Sequence, residues 1–364
     1  TYPAHIEVTD LAFSSDGREI LTASEYDRPA VKVWDADTGE LLLTHGNFGF
    51  DEFRSVAFSP DATKILIAGW GSRFKTMLFE IGSGTLIRNF GRYSSHVVFS
   101  PNGSKVLTMD PGGDTTAALL WDTETGRRLQ TLRHNIEGYA SIDSRSVTFS
   151  PDGGKILAAM HGPPSAAWKL WDTGTGDELW TGSNDISSFV LGDGMKFFTA
   201  DGKFVTADGN AAILRDAATG EEIRRFEQRD LADPSRSEIR DVAFSPDGTK
   251  LATTGWSTVT LWDTTTGQQL YSVQHSDPAY FRVTFSPDGM ILVTAGGNAA
   301  RLWDATTGEE LGSLEPLDYA QYVKFSPDGT KLVTMGGGYY GTTARLWDIS
   351  DLVRKTGIRN FSRY

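Results

Sequence analysis

The 364-residue chain contains no cysteine, which removes disulfides, thiolate metal sites and a cysteine nucleophile together, while leaving the compartment open. No run approaches the ~18 apolar residues of a membrane span, and no segment carries a periodic helical pattern. The six histidines, at positions 5, 45, 96, 134, 161 and 275, include no His-Glu-x-x-His pair, and the Gly-x-Ser-x-Gly elbow is missing. No Asp-x-Asp-x-Asp-Gly loop supplies the converging oxygens that calcium needs. Basic charge is scarce and scattered: 34 Lys and Arg stand against 47 Asp and Glu, for a net charge of −13, so a footprint for nucleic-acid phosphates is not expected. Linkers, low-complexity tracts and charge blocks are lacking too. The chain starts at Thr1 with neither Met nor a signal-like apolar stretch, the form of a processed or excised segment. It reads as a soluble protein with the cytoplasm as favoured compartment, no catalytic residue, no metal, no cofactor and no membrane insertion. Nothing in it sets an oligomeric state.

What the chain has is a repeat. Phe-Ser-Pro-Asp-Gly or a near copy begins at Phe13, Phe58, Phe99, Phe149, Phe198, Phe244, Phe285 and Phe325, one per roughly 45 residues. A second anchor keeps step with it: Trp34-Asp35, Phe79-Glu80, Trp121-Asp122, Trp171-Asp172, Arg215-Asp216, Trp262-Asp263, Trp303-Asp304 and Trp347-Asp348. The unit is too short to be an independent domain, and its recurrence predicts one quasi-repetitive architecture over the whole length.

Within the unit of residues 238–275, the runs Arg240 to Phe244, Lys250 to Thr254, Thr258 to Trp262 and Gln269 to Val273 read as short strands. Pro246-Asp247-Gly248 suits a tight turn, since Pro presets φ, Asp accepts from nearby amides and Gly tolerates positive φ. The stretch from Asp263 to Gly267 does the same at the next bend. Four short antiparallel strands per period, with Trp-Asp closing the third, predict the blade of a β-propeller. The recurring aromatics are then core between blades, each contributing on the order of 1.5 to 3 kcal/mol on burial. The Asp of each turn reads as a cap rather than a metal ligand. Arg215 is the exception among the anchors, because a guanidinium in such a core needs a partner or must reach outward, and its blade is expected to pack less tightly.

These anchors resemble the WD40 repeat family from Val8 to Asp348. The resemblance implies an all-β fold, a single eight-bladed β-propeller of WD40 type with four-stranded antiparallel blades. One domain over 1–364 is expected, with blades at about 8–45, 53–91, 94–134, 144–182, 186–228, 238–275, 279–315 and 319–364. Two departures are visible. There is no Gly-His dipeptide, so the family's buried Asp, His, Ser and Trp network is in question, with His45, His134 and His275 as substitutes; and the second and fifth anchors are degenerate. Residues 352–364 are favoured to complete the last blade, with the N-terminal stretch as the alternative. The segment from Asp172 to Trp180 is similar to the tryptophan-docking repeat of eight-bladed quinoprotein dehydrogenases, but other units place Leu129, Ile223, Leu270 or Leu311 at the trailing position.

Turns between first and second strands, and between third and fourth, are nearly uniform, whereas the other connections vary widely and project to the opposite face. A regular scaffold with one irregular face is how repeat proteins build recognition surfaces. Arg54, Arg145, Arg240 and Arg282 sit just ahead of or at the start of first strands. Phe53, Tyr139, Tyr280, Phe281, Tyr322, Tyr339 and Tyr340 lie close by, with Trp70 and Trp256 at the ends of second strands. Arg, Tyr and Trp most often dominate binding energy at protein interfaces. The expected function is a non-enzymatic scaffold binding a protein or peptide through this loop-rich face and the central channel mouth. Alternatives are a small-ligand or cofactor-binding propeller of quinoprotein-like type, and the sensor propeller of a larger signalling or defence protein.

Overall fold

The computed structural model describes residues 8–24, 30–46, 52–70, 75–91, 94, 96–110, 117–133, 147–160, 167–183, 197–230, 233, 236–275, 282–314, 320–338 and 341–355. Eight antiparallel sheets follow one another over residues 8–46, 52–89, 97–133, 147–183, 203–227, 241–274, 282–314 and 320–348. Six are four-stranded; the fifth and eighth have three strands among the described residues, and in the fifth an isolated bridge, Phe198 to Phe204, stands where a first strand would pair. Every strand pairs only with its sequence neighbours, so each sheet is a simple meander. This is the eight-bladed β-propeller that the repeat predicts.

The sixth sheet shows why the sequence folds this way. Its strands are Asp241–Phe244, Lys250–Thr254, Thr258–Asp263 and Gln269–Gln274. The first three are almost wholly buried and the last is mostly exposed, so the inner strands carry runs of apolar and small residues instead of strict alternation. Between third and fourth strands the register slips at the same place in six sheets, for example between Leu261 and Trp262. The slip is a β-bulge, and the skipped residues Leu42, Ile223 and Leu270 are exposed. The trailing Leu and Ile of the sequence reading are therefore these bulge residues and their counterparts, and Trp180 stands one position beyond them.

The turns are built by side chains. Asp35 Oδ1 accepts from the amides of Asp37 and Thr38 and from the Thr38 hydroxyl, and Asp122, Asp172, Asp216, Asp263 and Asp304 cap their own turns likewise. In the other turn, Ser245 Oγ donates to Asp247 Oδ1, which also accepts from the Thr249 amide. These contacts hold Asp16, Asp61, Asp122, Asp152, Asp172, Asp247, Asp263 and Asp328 below the usual carboxylate range.

The chain divides into two compact units, one of Thr1–Pro163, Trp171–Asp177 and Tyr340–Thr343, the other of Pro164–Leu170, Glu178–Tyr339 and Ala344–Tyr364. Inside each, neighbouring sheets share a core. Phe53, Val56 and Phe79 of the second sheet pack with Leu21, Val31 and Val33 of the first. In the other unit Val283, Phe285 and Trp303 of the seventh pack with Ala243, Val259 and Leu261 of the sixth. First strands are also bolted together by hydrogen bonds. Asp10 accepts from its neighbour Leu11 and from the Val56 amide of the next sheet (2.7 Å), and Asp241 accepts from Val242 and from Val283 of the next sheet (3.0 Å).

In the second and fifth sheets the departures from the repeat are compensated. The Trp indole donates to a threonine of the second strand in five sheets, as Trp34 to Thr22, Trp121 to Thr108, Trp262 to Thr253, Trp303 to Thr294 and Trp347 to Thr334, each at 2.9 Å. In the second sheet Phe79 stands for Trp and Ile67 for Thr, so donor and acceptor are lost together and neither is left unsatisfied. In the fifth, Arg215 replaces Trp but keeps the bond, its Nε donating to Thr206 at 3.2 Å, with Nη1 on the Gly220 carbonyl. The guanidinium lies over Trp180 at 4.9 Å, and that ring meets Phe204 edge-on at 5.4 Å. Arg215 thus has its partners inside the protein, and the unusual Trp180 is the surface on which it rests. Ala62, with φ 54°, is the only non-glycine residue in the left-handed region among the described residues. A Cβ at the matching Gly103 or Gly289 would lie 3.3 Å from a proline of the preceding sheet, whereas before Ala62 the position of that proline is held by Ser15.

At the far end, Ser350–Lys355 forms a short helix, with Leu352 packed against the core shared by the seventh and eighth sheets. Residues 352–355 are therefore not the strand expected to complete the last blade. Residues 1–7 and 356–364 lie outside the described residues.

Candidate protein-docking face

In each four-stranded sheet the two short turns sit at one end and the remaining connections leave from the other, as antiparallel meanders require. The described part of the irregular end is best developed before and within the sixth sheet. There Asp230, buried, accepts from the Ser257 amide at 2.7 Å and the Ser257 hydroxyl at 2.8 Å, and also from the Asp233 amide. Its own amide donates to Ser237 Oγ. The connection between the fifth and sixth sheets is thereby tied to the hairpin at 255–257. On it, the guanidinium groups of Arg236 and Arg240 lie over the half-buried Trp256 ring at 4.7 and 6.0 Å. Arg236 pairs with Asp233 at 3.4 Å and Arg240 with Glu238 at 3.3 Å.

Arg240 and Trp256, both candidates from sequence, are thus brought together. Arg54 is exposed on the first strand of the second sheet. Arg282 is half-buried beside Asp241, whose carboxyl is fully buried. Desolvation raises Asp241 to about 7, against the opposing pull of Arg282 and two backbone amides, so Arg282 serves stability as well as surface charge. Two candidates are corrected. Phe53 is 0 % exposed within the core of the first two sheets, and Tyr322 is 5 % exposed; alternation along a strand turns these rings inward, and neither side chain can meet a partner. Trp70 ends a second strand, and its side chain lies outside the described residues. Arg145, Tyr139, Tyr280, Phe281, Tyr339 and Tyr340 lie outside them altogether. In the sequence the connection from Gln228 to Glu238 stands out only as one of the variable ones, and Gln228, Asp230, Arg236 and Ser257 are not singled out there.

The same connection supplies a polar relay. Trp262 donates to Thr253, Thr253 to Gln228 Oε1, and Gln228 Nε2 to the Thr258 carbonyl. In the seventh sheet Trp303 donates to Thr294 and the threonine hydroxyl bonds His275 Nε2 at 3.1 Å. Burial, aided by Arg301, depresses His275 to about 4, so the ring is neutral at pH 7. A family model described as WD domain, G-beta repeat matches residues 1–35, 228–263 and 267–304. These matches and the eight sheets support a WD40-repeat propeller. A search of curated proteins found no match.

For this WD40 propeller, two of the matched stretches coincide with the sheets in which the Trp–Thr pair is extended to His275 or to its substitute Gln228. His45, another substitute drawn from the sequence, instead stacks on Phe79 at 6.4 Å, and burial lowers its pKa; His134 lies outside the described residues. Among the described residues no group of three His, Asp or Glu side chains could hold a metal ion, and no helix is long and apolar enough to cross a membrane. Propellers of this family are typically non-catalytic scaffolds for protein interaction.

Proposed function

We propose that this propeller is a non-enzymatic scaffold that captures a protein or peptide on the end of its sheets carrying the irregular connections, extending to the channel mouth. The observation that carries the reading is the shelf at residues 228–240. A buried carboxylate fixes a connection, and two guanidinium groups and an indole are presented together on it. Such preorganisation lowers the ordering cost of binding, and Trp and Arg are the usual anchors of interface energy. Arg54 and Arg145 are further candidates drawn from the sequence.

The test is charge reversal of Arg54, Arg145 and Arg240 together, with quantitative pull-down from the native source by wild type and variant. Arg282 is left in place because it stands beside buried Asp241. The expected result is loss of the captured protein at an unchanged melting temperature. Retention of the same protein at wild-type yield would refute the assignment of this face.

A further inference from the structure

A cavity of about 660 Å³ opens between the second and third sheets at the end that carries the short turns, away from the face proposed above. Leu78, Ile87 and Phe99 line it, together with Asp61, Asp122 and Glu124. Trp121 of the third sheet, like Trp347 of the eighth, is half-buried, where Trp34, Trp171, Trp262 and Trp303 are buried.

We propose that this cavity binds the side chain of an arginine from a basic peptide segment. The three carboxylates outnumber the two cations that line the cavity, Lys64 and Arg88, in a chain of net charge −13. Both cations are engaged locally. Lys64 lies 3.5 Å from Asp61 and 3.1 Å from the Thr63 hydroxyl, and Arg88 donates through Nε and Nη2 to the Glu124 carbonyl. Asp122 uses Oδ1 for its turn, receiving the Thr125 amide and hydroxyl. Its Oδ2 and the Glu124 carboxylate make no hydrogen bond among the described residues. Hydrogen bonds from Thr125 hold Asp122 below the usual range, so it is ionised at neutral pH. A guanidinium offers a planar fork of donors that matches two carboxylate oxygens, and its three-carbon stem can lie along the half-buried Ile87. An acidic side chain would meet like charge here, and an aliphatic one would offer no donor to Asp122 Oδ2 or to the Glu124 carboxylate.

The experiment uses the whole chain with labelled Ile, Leu and Val methyls, titrated with Nα-acetyl-arginine methylamide at fixed ionic strength. Nα-acetyl-glutamate methylamide and Nα-acetyl-norleucine methylamide serve as controls. Saturable shifts centred on the Leu78 and Ile87 methyls are expected for the arginine probe alone. Glu124→Lys should weaken its affinity about tenfold, the effect of about 1.4 kcal/mol, and Ile87→Trp, which fills the floor, should abolish the shifts. Methyl signals of the sixth and seventh sheets report that both variants are folded. Absence of saturable shifts, equal shifts from either control, or unchanged affinity in folded Glu124→Lys would each overturn the proposal. The loop-face triple variant should bind the probe as wild type does, so failure of either site leaves the other standing.

Discussion

Replacing Gly220 by alanine isolates the contact that lets an arginine stand in a tryptophan's place. Gly220 has φ +73°, and a Cβ built there lies 2.0 Å from Trp180 Cδ1 and 2.5 Å from Cγ, far inside the ~3.5 to 4.0 Å of carbon contact. Two costs add. The left-handed backbone alone disfavours alanine by about 1 to 2 kcal/mol. The indole must then leave its place beneath Arg215 and against Phe204, losing a cation–π contact and an aromatic pair worth about 1 to 3 kcal/mol together. Gly220→Ala is therefore expected to destabilise by about 3 kcal/mol, and by only the backbone share when Trp180 is already alanine. Gly202 supplies the control, having φ +80° with nothing within 4 Å of its Cβ, so Gly202→Ala should cost the backbone share alone. Urea unfolding of wild type, the three single variants and the Gly220→Ala/Trp180→Ala double, compared at constant m, reads the coupling. If Gly220→Ala costs no more than Gly202→Ala, or costs the same with and without Trp180, the argument fails.

His275→Gln tests the relay in the seventh sheet. The folded pKa of about 4 lies below the ordinary 6.5, so the unfolded chain binds more protons between those values. Stability from this group is full above pH 6.5 and lost as pH falls through the folded pKa, by about 3 kcal/mol. Glutamine, which already fills this role at Gln228, should keep the bond to Thr294 and flatten that part of the stability–pH curve; a curve superposable on wild type between pH 4 and 6.5 would count against it. Ala62→Gly should raise the urea midpoint by the equivalent of about 0.5 to 1 kcal/mol through relief of the left-handed backbone. Ser15→Pro should lower it while Ala62 is present and be harmless in the Ala62→Gly background, and an equal effect of Ser15→Pro in both backgrounds would dismiss the pairing.

The repeat of Phe and Trp-Asp, read from the chain alone, determined the number of sheets, their meander order and the role of the turn aspartates. Local chemistry decides these: the period sets the unit, Pro-Asp-Gly and Thr-Gly set the bends, and bulky anchors have only neighbouring sheets to bury against. The same reading named Arg240 and Trp256, which lie together in the fold, but also placed Phe53 and Tyr322 at a surface, because an aromatic near a strand's start looks alike whichever side of the sheet it faces. Only tertiary structure decided that Arg215 rests on Trp180, that Gln228 takes a histidine's role, that Asp230 anchors a connection, and that residues 350–355 are helical. Each of these depends on which side chain of one sheet meets which position of the next. Such meetings join residues about a repeat apart, and no local pattern encodes them.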